Sequence, residues 1–229
     1  MTSAQAVEGL IARERPGAVV YVPYHKADRA VTVDGARVAA RAAAEAGARF
    51  LLISTDLVFD GERAPYAEHA PAQPVMPYGA LKLEAEAEVR DAHPEAVVLR
   101  PALMVGTSGE IRRPAFEVAL LEVGQPLDAF VDEWRTPILV DDVARAVWDL
   151  VLSEAAGTFH LGGPERMTRH TLARLTCRLH RFDESLVREA RRPADRPKDV
   201  SLDSSRLIGL LGWAPQRLST LVQAEPDRG

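Results

Sequence analysis

The sequence predicts an α/β protein: a truncated Rossmann-type parallel sheet followed by a smaller, mixed α/β lobe. Three observations carry this. Helical and strand-like segments alternate from the N-terminus to Pro101. The strand segments "GAVVYV", "ARFLLIS" and "EAVVLR" are continuous apolar runs, which suits parallel strands covered on both faces. Beyond Pro101 the chain turns Pro-rich and less regular. Alternation followed by such a change argues for an open, doubly wound sheet with an appended lobe.

Each element has its own reason. "AQAVEGLIARER" reads as a helix and "GAVVYV" as a short strand. "VTVDGARVAARAAAEAG" is an Ala-rich helix ended by Gly47. "ARFLLIS" is a strand, followed by a polar loop from Thr55 to Pro77. "YGALKLEAEAEVRDAH" is a helix and "EAVVLR" a strand. Later, "VDDVARAVWDLVLS" is an amphipathic helix with Asp141 or Asp142 near its N-cap. "GTFHLGG" is a strand closed by glycines, "MTRHTLARLTCRLH" a helix capped by Thr168, and the tail carries one more short helix. The expected division is 1–106 for a partial dinucleotide-binding domain and 107–229 mainly for the second lobe, which returns to the sheet at about 138–162.

Composition narrows the classes. The chain has 229 residues, 47% hydrophobic and 27% charged, with a net charge of -5. It is long enough to bury a sizeable core, and it has no basic run to mark a nucleic-acid partner. One cysteine, Cys177, excludes an intrachain disulfide and a multi-cysteine metal site. The six histidines show no ligand spacing, so no metal is expected. No apolar stretch is long enough to span a bilayer, and no signal-peptide pattern is present. A cytoplasmic protein with no membrane partner is expected.

The chemistry centres on "YGALK". Tyr78 and Lys82 lie one helical turn apart on one face. A free phenol has a pKa of about 10; a nearby ammonium pulls it down and suits it to proton exchange with a carbonyl–alcohol pair. "LLISTD" adds Ser54 and Thr55 at the carboxyl end of a strand, the edge where open α/β sheets bind ligands. Asp56 in the same run reads as turn chemistry.

The run "STDLVFDGERAPYAEHAPAQPVMPYGALKLEAE" resembles the signature of the extended short-chain dehydrogenase/reductase superfamily, in its dTDP-4-dehydrorhamnose reductase branch. The likeness extends through "VVLRPALMVG", "TPILVDDVARAV", "GTFHLGG" and "RPKDVSLDSSRL". It implies that Thr55 is the catalytic hydroxyl, Tyr78 the general acid and Lys82 the orienting ammonium. It implies NADP or NAD as cofactor, with Ser54, Tyr24 and Pro101 along it. It implies a nucleotide-sugar substrate, with Leu103, Trp134 and Arg196 beside it. The same fold also serves as a non-catalytic regulatory subunit, resembling the beta subunit of methionine adenosyltransferase.

The sequence departs from that pattern. No G-x-G-x-x-G turn precedes a helix near its start, and "GTSGE" and "HLGGPE" come too late. Two accounts stand: a misplaced start within a longer reductase, which is the one expected, or a short form that lost dinucleotide binding. Pro23, Tyr24 and His25 are bulky where the cofactor approaches, and Leu103 replaces a common aromatic. Weak or no cofactor binding is expected. So is a homo-oligomer, or a partner covering the free edge of "AVVYV" on a strand bare on both faces. Cys177, Trp148 and Trp213 read as core, and His160 as a satisfied strand residue.

Overall fold

The computed structural model describes residues 4–106 and 114–223; most of "GTSGE" lies outside them. The elements in order are α1 (Ala4–Glu14), β1 (Ala18–Tyr21), α2 (Gly35–Glu45), β2 (Arg49–Ile53), α3 (Pro77–Ala92), β3 (Val97–Pro101) and β4 (Met104–Val105). Then follow α4 (Ala115–Glu122), β5 (Leu127–Phe130), β6 (Trp134–Arg135), β7 (Ile138–Leu139), α5 (Val140–Leu152) and β8 (Gly157–Leu161). The chain continues through β9 (Met167–Thr168), α6 (Arg169–His180), β10 (Val187–Ala190), α7 (Ser205–Leu211) and α8 (Leu218–Gln223).

Four parallel strands form the main sheet in the order β1-β2-β3-β8. Successive side chains point to opposite faces. Phe50, Leu52 and Val98 pack against α1, α2 and α3, while Leu51, Val97 and Leu99 pack on the other side with Val143, Ala146 and Leu150 of α5. Both faces of β2 and β3 are thus buried, which is why their sequences do not alternate. Full burial of each such leucine contributes about 2 kcal/mol. In α2 the alanines 36, 39, 40 and 43 are almost wholly buried, small side chains on a face that packs on α1 and α3.

Strand β1 is the edge of the described sheet. Val19 and Tyr21 face the layer of helices, whereas Val20 and Val22 are 37% and 57% exposed. The strand is therefore bare on one face, not on both as expected, because α1 and α2 cover the side of Tyr21. Among the described residues no helix is long and apolar enough to cross a membrane.

Other expectations shift in detail. A π-helical turn at Ala30–Asp34 precedes α2, and Gly47 follows it with φ +68°. Leu139, not an aspartate, stands at the N-cap of α5. Asp141 and Asp142 occupy its first turn, where the helix dipole favours them, and Asp142 accepts the Gln216 N–H at 2.9 Å. Thr168 does cap α6, accepting the Thr171 N–H at 3.0 Å. The stretch read as irregular contains α4 and β5, and β5 pairs in parallel with β10. Cys177 is wholly buried in the core beneath that pair. Trp148 is not core: it is 67% exposed on α5. Trp213 packs partly buried on the second core, donates to Asp149 at 2.8 Å and lies under the Arg145 guanidinium.

Candidate active site

The carboxyl ends of β2 and β3 open into a cavity of about 1130 Å³. The turn after β2 begins with Thr55, whose side chain caps the short 3-10 helix Asp56–Val58. The loop beyond it is built around Tyr66, whose hydroxyl accepts the N–H groups of Gly61, Glu62 and Arg63 and donates to Asp60. Its ring stacks on Phe59 at 4.1 Å. This internal hydrogen bonding fixes the loop and returns the chain to α3. Pro77 at the first helical position has no N–H to leave unpaired.

Gly79 sets the spacing. A Cβ there would collide with the carbonyl oxygen of Leu57. Only a glycine lets α3 lie so close to the Thr55 turn, and that closeness puts Thr55, Tyr78 and Lys82 on one cavity wall.

The state of these groups differs from the one expected. Lys82 is 1% exposed and donates to the Ile53 carbonyl at 2.5 Å. Burial lowers its pKa to about 8, opposed by Glu86. Tyr78 is raised, not lowered, from its ordinary value: first by burial, then by Tyr24 and by the charge of Asp56. The phenol is therefore a proton donor at neutral pH. Its ring lies 5.6 Å from that of Tyr24, which is half exposed.

Lys82 makes a pH prediction. Its folded value of about 8 lies below the ordinary 10.5, so between these the unfolded chain binds more protons. Its contribution to stability rises with pH across that window. Melting temperatures from pH 8 to 9.5 should rise in wild type relative to Lys82→Met; a constant difference would show that Lys82 does not titrate there.

Behind the wall lies a buried polar cluster. Glu86 is wholly buried and takes a two-pronged ion pair from Arg100, at 2.9 and 2.6 Å. Ser54 donates to the same carboxylate at 2.5 Å. Ser54 thus reaches the cavity wall, but its proton is spent inward, away from a cofactor. His160 lies in this cluster, wholly buried and outside the cavity. Its Nδ1 faces the Tyr66 carbonyl at 2.9 Å and its Nε2 faces Arg100 at 3.3 Å. Burial, then Arg100, lower its pKa to about 4, so the ring is neutral.

Of the remaining expected residues, Tyr24, Pro101, Leu103 and Arg196 line the cavity. Trp134 does not. It sits in β6, paired with β9, with the Arg166 guanidinium 3.9 Å over its ring. Sequence reasoning missed Arg135 and Arg169, which also line the cavity. Arg169 pairs with Glu117, and burial and Arg196 lower its pKa to about 10. Asp56 was assigned to a turn. It is instead 2% exposed and bound to Arg135 at 2.7 Å. Arg135, Arg169 and Arg196 thus reach the cavity in ion pairs with the carboxylates of Asp56, Glu117 and Glu133, three cations against three anions.

A family model described as the RmlD substrate binding domain matches residues 5–224. The chain belongs to this family. It is 32% identical over 210 residues to the dTDP-4-keto-6-deoxy-D-glucose reductase of Streptomyces niveus, covering 86% of this chain and 71% of that one. It is also 32% identical over 221 residues to the methionine adenosyltransferase 2 subunit beta of Bos taurus, covering 90% of this chain and 66% of that one. The fold superposes on a dTDP-4-dehydrorhamnose reductase of Clostridium acetobutylicum with a TM-score of 0.84 and 26% identity, over 97% of this chain and 84% of that one. The chain spans 60% to 71% of the length of the first curated relatives it matches. The expected Rossmann-type α/β fold and its reductase branch are both upheld by these likenesses.

Proposed function

We propose that this chain holds the proton-donating and sugar-nucleotide-binding parts of a reductase acting on a keto group of a nucleotide-linked sugar. The observation that carries the reading is that one cavity is lined by Thr55, Tyr78 and Lys82 and also by the arginines Arg135, Arg169 and Arg196. Arg169 and Arg196 suit a diphosphate, since guanidinium groups bind its oxygens in pairs. A sugar between the two walls has its carbonyl within the reach of Tyr78. The phenol gives its proton to the carbonyl oxygen as that oxygen becomes an alcohol. Lys82 sits one turn along the same face, where its ammonium steadies the phenolate left behind. In this reading residues 1–106 hold the reacting groups and 107–229 mainly the substrate.

NAD(P)H, when bound, supplies the hydride. Tyr78, Lys82 and Pro101 fit its reacting end, with Tyr24 beside them on the same cavity. The described residues offer no glycine-rich turn for its diphosphate. The 229-residue chain should therefore bind NADPH more weakly than about micromolar while still binding a dTDP-linked keto sugar, both read by calorimetry. Arg196→Ala should abolish the sugar-nucleotide heat. Failure of wild type to bind any dTDP-linked sugar would overturn the reading.

A second reading has support of its own. The likeness to the adenosyltransferase beta subunit runs over 90% of the chain, at the same 32% identity as to the reductase. In that reading the chain is a non-catalytic regulatory subunit. Oxidation of NADPH in the presence of keto sugar separates the two.

The free edge of β1 bears on assembly. Unpaired strand edges and exposed apolar side chains invite pairing with another chain. Val20, Val22 and Trp148 line the same open side of the cavity. We expect the purified chain to scatter light as a dimer or larger, and Val20→Lys to shift it toward monomer. A monomeric wild type would refute this. The single buried cysteine suits a cytoplasmic setting.

A further inference from the structure

Two adjacent residues at the end of β2 are tied to two residues one turn apart on α3. Lys82 Nζ donates to the Ile53 carbonyl at 2.5 Å, and the next residue, Ser54, donates from its hydroxyl to Glu86 at 2.5 Å. The Ser54 N–H is fixed as well, to the Leu99 carbonyl of β3 at 2.7 Å. Lys82 and Glu86, four positions apart, share a helix face. They are 1% and 0% exposed, and of the two only Lys82 reaches the cavity.

The two charges have unequal support. Arg100 gives Glu86 two hydrogen bonds and Ser54 a third, so the carboxylate is ionised and held in place. Arg90 approaches it to 3.6 Å from the solvent side. Lys82 is bound to a neutral carbonyl, which brings no charge of its own, and burial favours the neutral amine. Tyr78 and Asp56 line the same cavity, but the phenol is neutral and Asp56 is bound to Arg135. Asp34, in the turn that packs on α3, and Glu84 pair with Arg29 at the surface. Glu86 is the charge that opposes the effect of burial on Lys82.

We infer that Glu86 is a positioning residue for Lys82: clamped by Ser54 and Arg100, its carboxylate is the fixed counter-charge that keeps this buried side chain an ammonium on the cavity wall. What the ammonium then does for Tyr78 rests on the proposed reductase reading; its charge does not. An amine at this place would keep the bond to Ile53 and lose the charge that steadies a phenolate.

The test uses ligand-free protein labelled with ¹³C at the lysine ε-carbons. The chain has three lysines, Lys26, Lys82 and Lys198, and Lys82→Met assigns the signal. In wild type the Lys82 signal should titrate near 8. Glu86→Gln keeps the shape and an acceptor for Ser54 but removes the charge. It should lower the Lys82 midpoint by about one pH unit, a tenfold loss in proton affinity, and leave Lys26 and Lys198 unchanged. A purely structural role has the opposite sign: a loosened site admits water and raises the midpoint toward 10.5. An unchanged or raised midpoint therefore overturns the inference. Ser54→Ala keeps the carboxylate and should move the midpoint less than Glu86→Gln does; an equal fall would assign the effect to the hydrogen bond and overturn it too. If Glu86→Gln does not fold, wild type still decides, because a Lys82 already neutral at about pH 7 has no effective counter-charge. No ligand enters these titrations, so failure of wild type to bind a dTDP-linked sugar would remove the reductase reading and leave the role of Glu86 decided.

Discussion

Tyr78→Phe should lower keto-sugar reduction by about 10²- to 10⁴-fold, the usual worth of a positioned general acid. The loss should fall on kcat, with the affinity for sugar nucleotide within about twofold of wild type. In the proposed reading the phenol gives its proton as charge develops on the carbonyl oxygen, so it contributes in the transition state and little before it. The phenylalanine keeps the ring and its contact with Tyr24, so binding surface is conserved. Because burial and Asp56 raise the phenol from its ordinary value, wild-type activity should not decline through loss of this proton near neutral pH. Rates of NADPH oxidation by the two proteins, compared under saturating substrate, are the measurement. Equal rates would remove Tyr78 from the chemistry.

Glu86→Ala should destabilise the fold by about 3–5 kcal/mol, the typical cost of stripping one partner from a buried ion pair. Arg100 is left at 5% exposure with the His160 ring nitrogen facing its Nη1 and the Phe59 ring 5.2 Å from its guanidinium, neither of them a charge partner. Ser54 loses its acceptor as well. Against a total stability of about 5–15 kcal/mol this is a large fraction, and the melting temperature should fall by about 10 °C. Glu86→Leu combined with Arg100→Met should recover much of the loss, since it removes both charges instead of one. Thermal melts of the three proteins provide the comparison. A single variant that melts like wild type would mean that water reaches Arg100 and solvates it.

The strands and α3 were legible because each is a local signal: an apolar run of strand length, or the helical run that begins at Tyr78. Thr55, Tyr78 and Lys82 were legible because two lie on one helix and the third ends a strand. What was not legible depends on pairing across long stretches of sequence. Asp56 meets Arg135 from 79 positions away, and nothing near either residue marks the partner. Arg169 opens α6 directly after a cap, where an arginine reads as solvated; its burial comes from α4 and the neighbouring lobe. Trp148 misled for a related reason. The face of α5 that packs on the sheet is Val143, Ala146 and Leu150, and Trp148 lies off it, so an aromatic in an apolar helix has the composition of core and the exposure of surface. The expected lowering of the Tyr78 phenol gave way to a rise caused first by its burial, while the Lys82 ammonium donates to the Ile53 carbonyl at 2.5 Å.

The absent side chain at position 79 makes that position a gauge for the whole site. Glycine is a poorer helix former than every residue but proline, so the fold gives up some helix stability to keep α3 against the turn after β2. Any larger residue is a wedge between helix and turn, and it lifts Tyr78 from Thr55 without touching either one. Within a set of related chains, position 79 therefore sorts those that still hold the two hydroxyls together from those that have let them part, even where both hydroxyls persist. The composition of one helical turn reports on a spacing that neither Thr55 nor Tyr78 can report by itself.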